Sequence, residues 1–222
     1  MESRTGPLPA SMLLLGTFYG GMVTLAGVLG AKQVALGPLA VEAGIFPFLL
    51  LVGISSGVTR LHGERVGQML VRLGFVPLIA AIVLTLIVLQ LPTDPGMYPP
   101  AKEAFPIILG QSWRLMAAGI VAYGVSVTLN VSVFAWLGAR MKSWPGIAGF
   151  VAAALSQIVD TFIFISIAFL GVRPVASLYA GQMISKVVLS AIMVPLVIRL
   201  VMSLGARIDG PAISAAKCGD DR

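Results

Sequence analysis

Six runs of this chain are apolar for long enough to cross a bilayer, and that constraint comes before any motif. A crossing needs about 20 mainly apolar residues at ~1.5 Å rise each. Such runs fall at residues 11–31, 45–61, 68–91, 112–139, 147–171 and 175–204. Hydrocarbon offers no water to pair with the backbone, so each run must satisfy its own N–H and C=O groups, which a helix does. The expected fold is all-α: a polytopic membrane protein of six transmembrane helices in a single membrane domain over residues 1–222, ending in a polar, frayed tail at 205–222. A composition 58% hydrophobic and 11% charged agrees, since a soluble domain carries about twice that charge.

Two connections need separate readings. QVALGPLAVEAG, between the first two runs, is too short and too broken by Gly and Pro to cross; residues 33–44 are either a loop or a re-entrant hairpin beside a shorter, tilted second helix. PTDPGMYPPAKEAFP carries five prolines and reads as an extended surface excursion. The first run exceeds the apolar core of a signal peptide and no clean small-x-small site follows it, so it reads as a retained helix.

Sorting the loops alternately onto two sides puts Arg4, Arg60, Arg65, Arg72, Arg140, Lys142, Arg199, Arg207, Lys217 and Arg222 on one, against Lys32, Lys102, Arg114 and Arg173 on the other. Positive charge favours the inside, so both termini are expected in the cytoplasm. The net charge of +6 then reflects topology and lipid headgroups, and no soluble basic domain is present to bind nucleic acid. One cysteine, Cys218, and one histidine, His62, leave no disulfide, no Cys/His metal site and no Ser/His/Asp arrangement. No phosphate-binding loop or HExxH motif occurs, so neither catalysis nor a cofactor is expected. If the chain moves a solute, the energy must come from a gradient, from downstream trapping or from a separate partner.

Most charged residues lie in loops or near helix ends, where long side chains reach the interface. Asp160 and Lys186 do not. Each lies about 11 residues from the same surface, on the fifth and sixth helices, roughly 16 Å deep in a ~30 Å slab. The connection GVRP makes these helices antiparallel neighbours, so carboxylate and ammonium can meet. A lone charge there costs at least ~2.5–3.5 kcal/mol, so pairing or a hydrated cavity is expected. Pairing alone does not explain why two apolar residues are not used instead.

Polar neighbours share the faces of these two charges. Gln157, Asp160, Thr161 and Phe164 form one stripe of the fifth helix; Tyr179, Gln182, Lys186 and Ser190 form one of the sixth. Together they offer amides, a carboxylate, hydroxyls, an ammonium and two rings, an inventory suited to a flat, hydrogen-bonding ligand. The alternative is interhelical glue, worth ~0.6 kcal/mol per contact, with an Asp160–Lys186 clasp that needs no ligand. Tyr123, Ser126 and Asn130 on the fourth helix are placed to close a third wall or to pack helices. Gly16 and Gly20 have the spacing of close helix contact, Pro47, Pro77 and Pro195 interrupt helical bonding, and His62 reads as solvated.

AGIFPFLLLVGISSGVTRLHGERVG, SQIVDTFIFISIAF and GQMISKVVLS together resemble the bacterial queuosine precursor transporters, a vitamin-uptake-like family, over roughly residues 20 to 200. SQxxDT is the specific part. The resemblance implies functional roles for Gln157, Asp160, Thr161, Lys186, Lys32, Arg60 and Gly63. This chain departs from it at Ser56, where many members have an acidic residue, and at Gly27, where many have Asn. It also implies an inner-membrane importer of 7-deazaguanine bases, the cyano and aminomethyl precursors of queuosine. Candidate substrate contacts are Asp160, Gln157, Thr161, Lys186, Gln182, Tyr179, Phe164, Asn130 and Ser56. Two other readings stand beside this one: a substrate-binding subunit of an energy-coupling-factor vitamin importer, which would work with ATPase subunits, and a membrane scaffold or assembly protein. The expected partners are a 7-deazapurine-like small molecule and the lipid bilayer, with further copies of the chain or ATPase subunits left open.

Overall fold

The computed structural model describes residues 9–36, 39–110, 113–141, 143–169, 171 and 176–220; of these, 36, 39–40, 113–114, 169, 176–178, 180 and 211–220 are described by backbone alone. Arg4, Lys142, Arg173 and Arg222 lie outside the described residues. Seven helices and one hairpin follow in order: α1 Ala10–Leu29, β1 Gln33–Leu36, β2 Leu39–Glu42, α2 Ile45–His62, α3 Glu64–Gln90, α4 Pro99–Leu109, α5 Trp113–Arg140, α6 Pro145–Phe169 and α7 Ala176–Asp220. Six of the helices are long and apolar enough to span a membrane; α4 is not. An even number of crossings returns the chain to the side on which it began.

Two features differ from the sequence reading, and a third decides between its two alternatives for residues 33–44. The proline-rich excursion contains a helix, α4, because Pro99 and Pro100 occupy its first turn, where a missing N–H is no loss. Its Ile107 is 79% exposed, as suits a short helix lying along the membrane interface. The expected frayed tail is instead helical, with α7 running on to Asp220. Residues 33–42 form an antiparallel hairpin in which Gln33 faces Glu42 and Val34 faces Val41.

That hairpin is re-entrant. Only Gly63, at φ 89°, separates α2 from α3, so the two start from one level and run antiparallel. A side chain would be strained at that angle, which is why glycine makes the turn. With 18 residues against 27, α2 stops about nine residues, ~14 Å, short of the far end of α3. The hairpin fills this depth: Val41 is 2% exposed and packs with Ile45, Leu49, Ala152 and Val194. Strand pairing satisfies about half of its backbone groups, and irregular chain at such depth is tolerated where protein buries it or a cavity adjoins it.

α2 is the centre of the bundle, 67% buried, whereas α3 buries only Gly67, Leu70, Val71 and Gly74 and turns Leu73, Val76, Val83 and Leu84 outward to lipid. Between helices in lipid no hydrophobic force operates, so close contact must come from small residues. Gly53 and Gly57, four apart on α2, provide it: a Cβ there would lie 2.6 Å from Val197 and 2.5 Å from Val201 of α7. The sequence reading placed such contact at Gly16 and Gly20. Nothing lies within 4 Å of a Cβ at Gly16, and Gly20 meets only Pro77 at ordinary distance, because that part of α1 faces outward.

Candidate functional site

α6 and α7 are antiparallel neighbours, and they bring Asp160 and Lys186 together. Lys186 Nζ donates to Asp160 Oδ2 at 2.8 Å and forms an ion pair with it. Ser126 of α5 donates its hydroxyl to Asp160 Oδ1 at 3.1 Å. Asp160 lies about nine residues from the end of α6 and Lys186 about ten from the start of α7, each ~14–15 Å along its axis. Both are largely buried, with side chains 8% and 12% exposed.

The pair is not sealed in hydrocarbon. It borders a cavity of about 220 Å³ that extends toward the hairpin face, where Gly30, Gly44 and Leu109 line it. Its walls come from α1 (Val23, Gly27), α2 (Phe48, Leu51), α3 (Leu78, Ile82) and α5 (Met116, Tyr123). Phe164 faces it from α6, one turn from Asp160. Tyr123 is fixed by donating to Val71 O at 2.9 Å, by a hydroxyl contact with Tyr19 at 3.1 Å, and by the edge of Phe75. Such a chamber, mostly apolar with a few convergent polar groups, is the common form of a small-ligand site.

Of the sequence-predicted residues, Asp160, Lys186 and Phe164 line this cavity. Gln182 adjoins it through a bond from Nε2 to Glu42 Oε1 at 3.4 Å. Gln157, Thr161, Asn130 and Ser56 do not line it. They belong to a buried polar zone in which Asn130 Nδ2 donates to Ser56 Oγ at 3.0 Å and reaches Ser55 Oγ and Val52 O at 3.4 Å. Gln157 Oε1 and Nε2, Asn130 Oδ1 and Thr161 Oγ1 are buried there without a hydrogen-bond partner among the described residues. An unpaired buried polar group costs about 1–3 kcal/mol, so this zone is under-satisfied as it stands. Tyr179 points elsewhere: it stacks on the lipid-facing Phe162 at 5.8 Å and shares a 2.8 Å hydroxyl contact with Ser166. It does not line the cavity, whereas Phe164 and Tyr123 do.

Sequence reasoning missed Glu42, which lines the cavity from the end of β2. The signal was present as an acidic residue three positions before an apolar span, but a segment read as non-crossing was not searched for intramembrane charge. Gly27 lines the cavity, and a Cβ there would meet nothing within 4 Å. His62 Nε2 is buried and unpartnered among the described residues, against the expectation that it is solvated.

No curated protein and no solved structure matches the chain. A family profile does: that of the family described as "Putative vitamin uptake transporter" matches residues 42–200, which span Glu42, the Asp160–Lys186 pair and the Gly53–Gly57 seam, and the chain belongs to that family.

Proposed function

We propose that this protein imports a queuosine precursor, a 7-deazaguanine base, or a related purine-like compound across a bacterial inner membrane, with its arginine-rich face in the cytoplasm. The observation that carries the reading is a buried carboxylate, Asp160, exposed to an internal cavity while ion-paired with Lys186. A guanine-like edge presents N1–H and a 2-amino group side by side, and a carboxylate accepts both as parallel hydrogen bonds. Asp160 has about four lone-pair directions, and Lys186 and Ser126 use two. Lys186 pairs with the carboxylate at 2.8 Å, and Phe164 and Tyr123 bring aromatic rings to the cavity. Gln157, Thr161, Asn130 and Ser56 join the contacts when the unsatisfied zone opens toward the ligand.

Uptake in a precursor-auxotrophic bacterium tests this. Asp160→Asn, inserted at normal level, should transport at most a few per cent as well as the parent, since one oxygen becomes a donor. Full transport by that variant overturns the reading. The family's vitamin-uptake description favours a second reading, a substrate-binding subunit that works with ATPases. Copurification with two ATPases and a coupling membrane protein would support it, and transport by the purified protein alone in liposomes would exclude it.

A further inference from the structure

Gln157 is fully buried, yet neither end of its carboxamide has a hydrogen-bond partner among the described residues. Because both atoms are unpaired, this holds whichever way the amide is turned. Thr161 Oγ1, one turn along the same face of α6, and Asn130 Oδ1 on α5 are in the same condition. The zone has a definite place. α5 ends at Arg140 and α6 starts at Pro145, so the two are antiparallel, and the bond from Ser126 to Asp160 sets their register. Asn130 lies one turn beyond Ser126 and Gln157 one turn before Asp160, so both sit about 5 Å nearer the arginine-rich face than the ion pair. Ser56 of α2, which accepts from Asn130 Nδ2 at 3.0 Å, closes the zone from a third side.

Stability does not account for these groups. A polar residue that ties helices together in lipid has to bond something, and Gln157 bonds nothing among the described residues. Each unpaired buried group costs about 1–3 kcal/mol, and a methionine of similar shape avoids that cost. The groups therefore suit a state in which they are paired. A cation would pair the oxygens but not the N–H₂ of Gln157, whereas a solute with both donors and acceptors pairs all of them. A primary amide meets a cyclic amide edge, N–H beside C=O, through two parallel hydrogen bonds, as Asn and Gln do on base edges. Asn130 Oδ1 is left to accept from an amino group beside that edge. One ring edge can thus rest first on Asp160 and then on Gln157, a turn further in. α2 carries the means of opening: Ser56 bonds α5, whereas Gly53 and Gly57 are pressed by Val197 and Val201 of α7.

We infer that Gln157, with Thr161 and Asn130, forms a second, inner subsite for the cyclic amide edge of the ligand, closed in this state and reached from Asp160 when the arginine-rich side opens. This rests on the import function proposed for Asp160. Gln157 is then the residue that receives the base on its way inward.

Two measurements test this. Gln157→Met breaks no hydrogen bond among the described residues, so the variant should melt at or above the parent in detergent, while uptake of 7-cyano-7-deazaguanine falls about tenfold or more. A melting point well below the parent makes Gln157 a structural tie and overturns the inference, as does uptake above half the parent's. The second measurement leaves Gln157 in place. In a Cys218→Ser background, which removes the other thiol, Ser56→Cys is treated with a membrane-impermeant maleimide on the arginine-rich face. Ser56 is fully buried in this state, so labelling should be slow and should quicken about fivefold or more when 7-cyano-7-deazaguanine is added. No labelling with the base present, by a protein that still takes it up, overturns the inference. In each such case uptake that depends on Asp160 leaves the import function standing, whereas a parent that takes up none of the base removes both.

Discussion

Glycine does opposite work in the two halves of this bundle. On the hairpin side, Gly27 and Gly119 line the cavity, and a Cβ at either would meet nothing within 4 Å. Beyond Asp160, four glycines are filled: Val197 and Val201 press on Gly53 and Gly57, Ile198 on Gly149 and Thr59 on Gly67; on the hairpin side Gly44 is packed as closely, 2.7 Å from Ala26 O. Helices in lipid gain nothing from hiding apolar surface, so stability comes from close contact, and an empty space must be maintained against it. The second half supplies the contact and the first holds the space. For a ligand resting near Asp160 to leave on the arginine-rich side, the α2–α7 seam at Gly53 and Gly57 has to part.

The largest effect is expected where the halves meet. Lys186→Met strands a buried carboxylate and should destabilise the protein by about 3–5 kcal/mol, seen as a lower melting temperature in detergent. Asp160→Leu with Lys186→Leu removes both charges and should recover most of that loss, because apolar packing replaces a buried pair at little cost. Uptake should stay absent in the double variant. Transport by it would reduce the pair to a clasp and erase the functional distinction between the halves.

Next come the glycines, tested as a contrast. Gly57→Ala places a Cβ 2.5 Å from Val201 and should cost about 1–3 kcal/mol by overpacking. Gly27→Leu meets no such obstacle and should melt close to the parent, yet abolish uptake by filling the cavity. If both variants melt alike, the distinction between held space and close contact is wrong. If Gly27→Leu transports normally, the cavity is not on the path.

How far the sequence reached follows the same physics. Six spans were legible because length and hydropathy alone decide them. Asp160 and Lys186 were legible because a charge is costly at that depth and their helices are joined by a short connection. Glu42 was not, since its depth depends on α2 starting ~14 Å short of α3, a matter of tertiary register. The α2 seam was missed for a related reason: GISSG and GTFYG have the same spacing, and only the position of each helix in the bundle decides which faces a partner. Tyr179 shows the limit of a helical stripe. Its spacing matched Gln182 and Lys186, but the start of α7 turns it toward Phe162 and lipid.

The smallest effect tests whether the closed half moves. At its far end Ser11 donates its backbone N–H to Asp209 Oδ1 at 3.1 Å and its hydroxyl to Oδ2, so α7 caps the first turn of α1. A carboxylate there also complements the helix dipole. Ser11→Ala keeps the N–H bond and the charge and loses one hydrogen bond, a change of about 0.5–1.5 kcal/mol, visible as a melting point slightly below the parent. If the arginine-rich half must part during each cycle, loosening this tie leaves uptake unchanged or faster despite the lower melting point. A fall in uptake that merely tracks the fall in stability, as a static scaffold would give, places the moving part on the hairpin side instead.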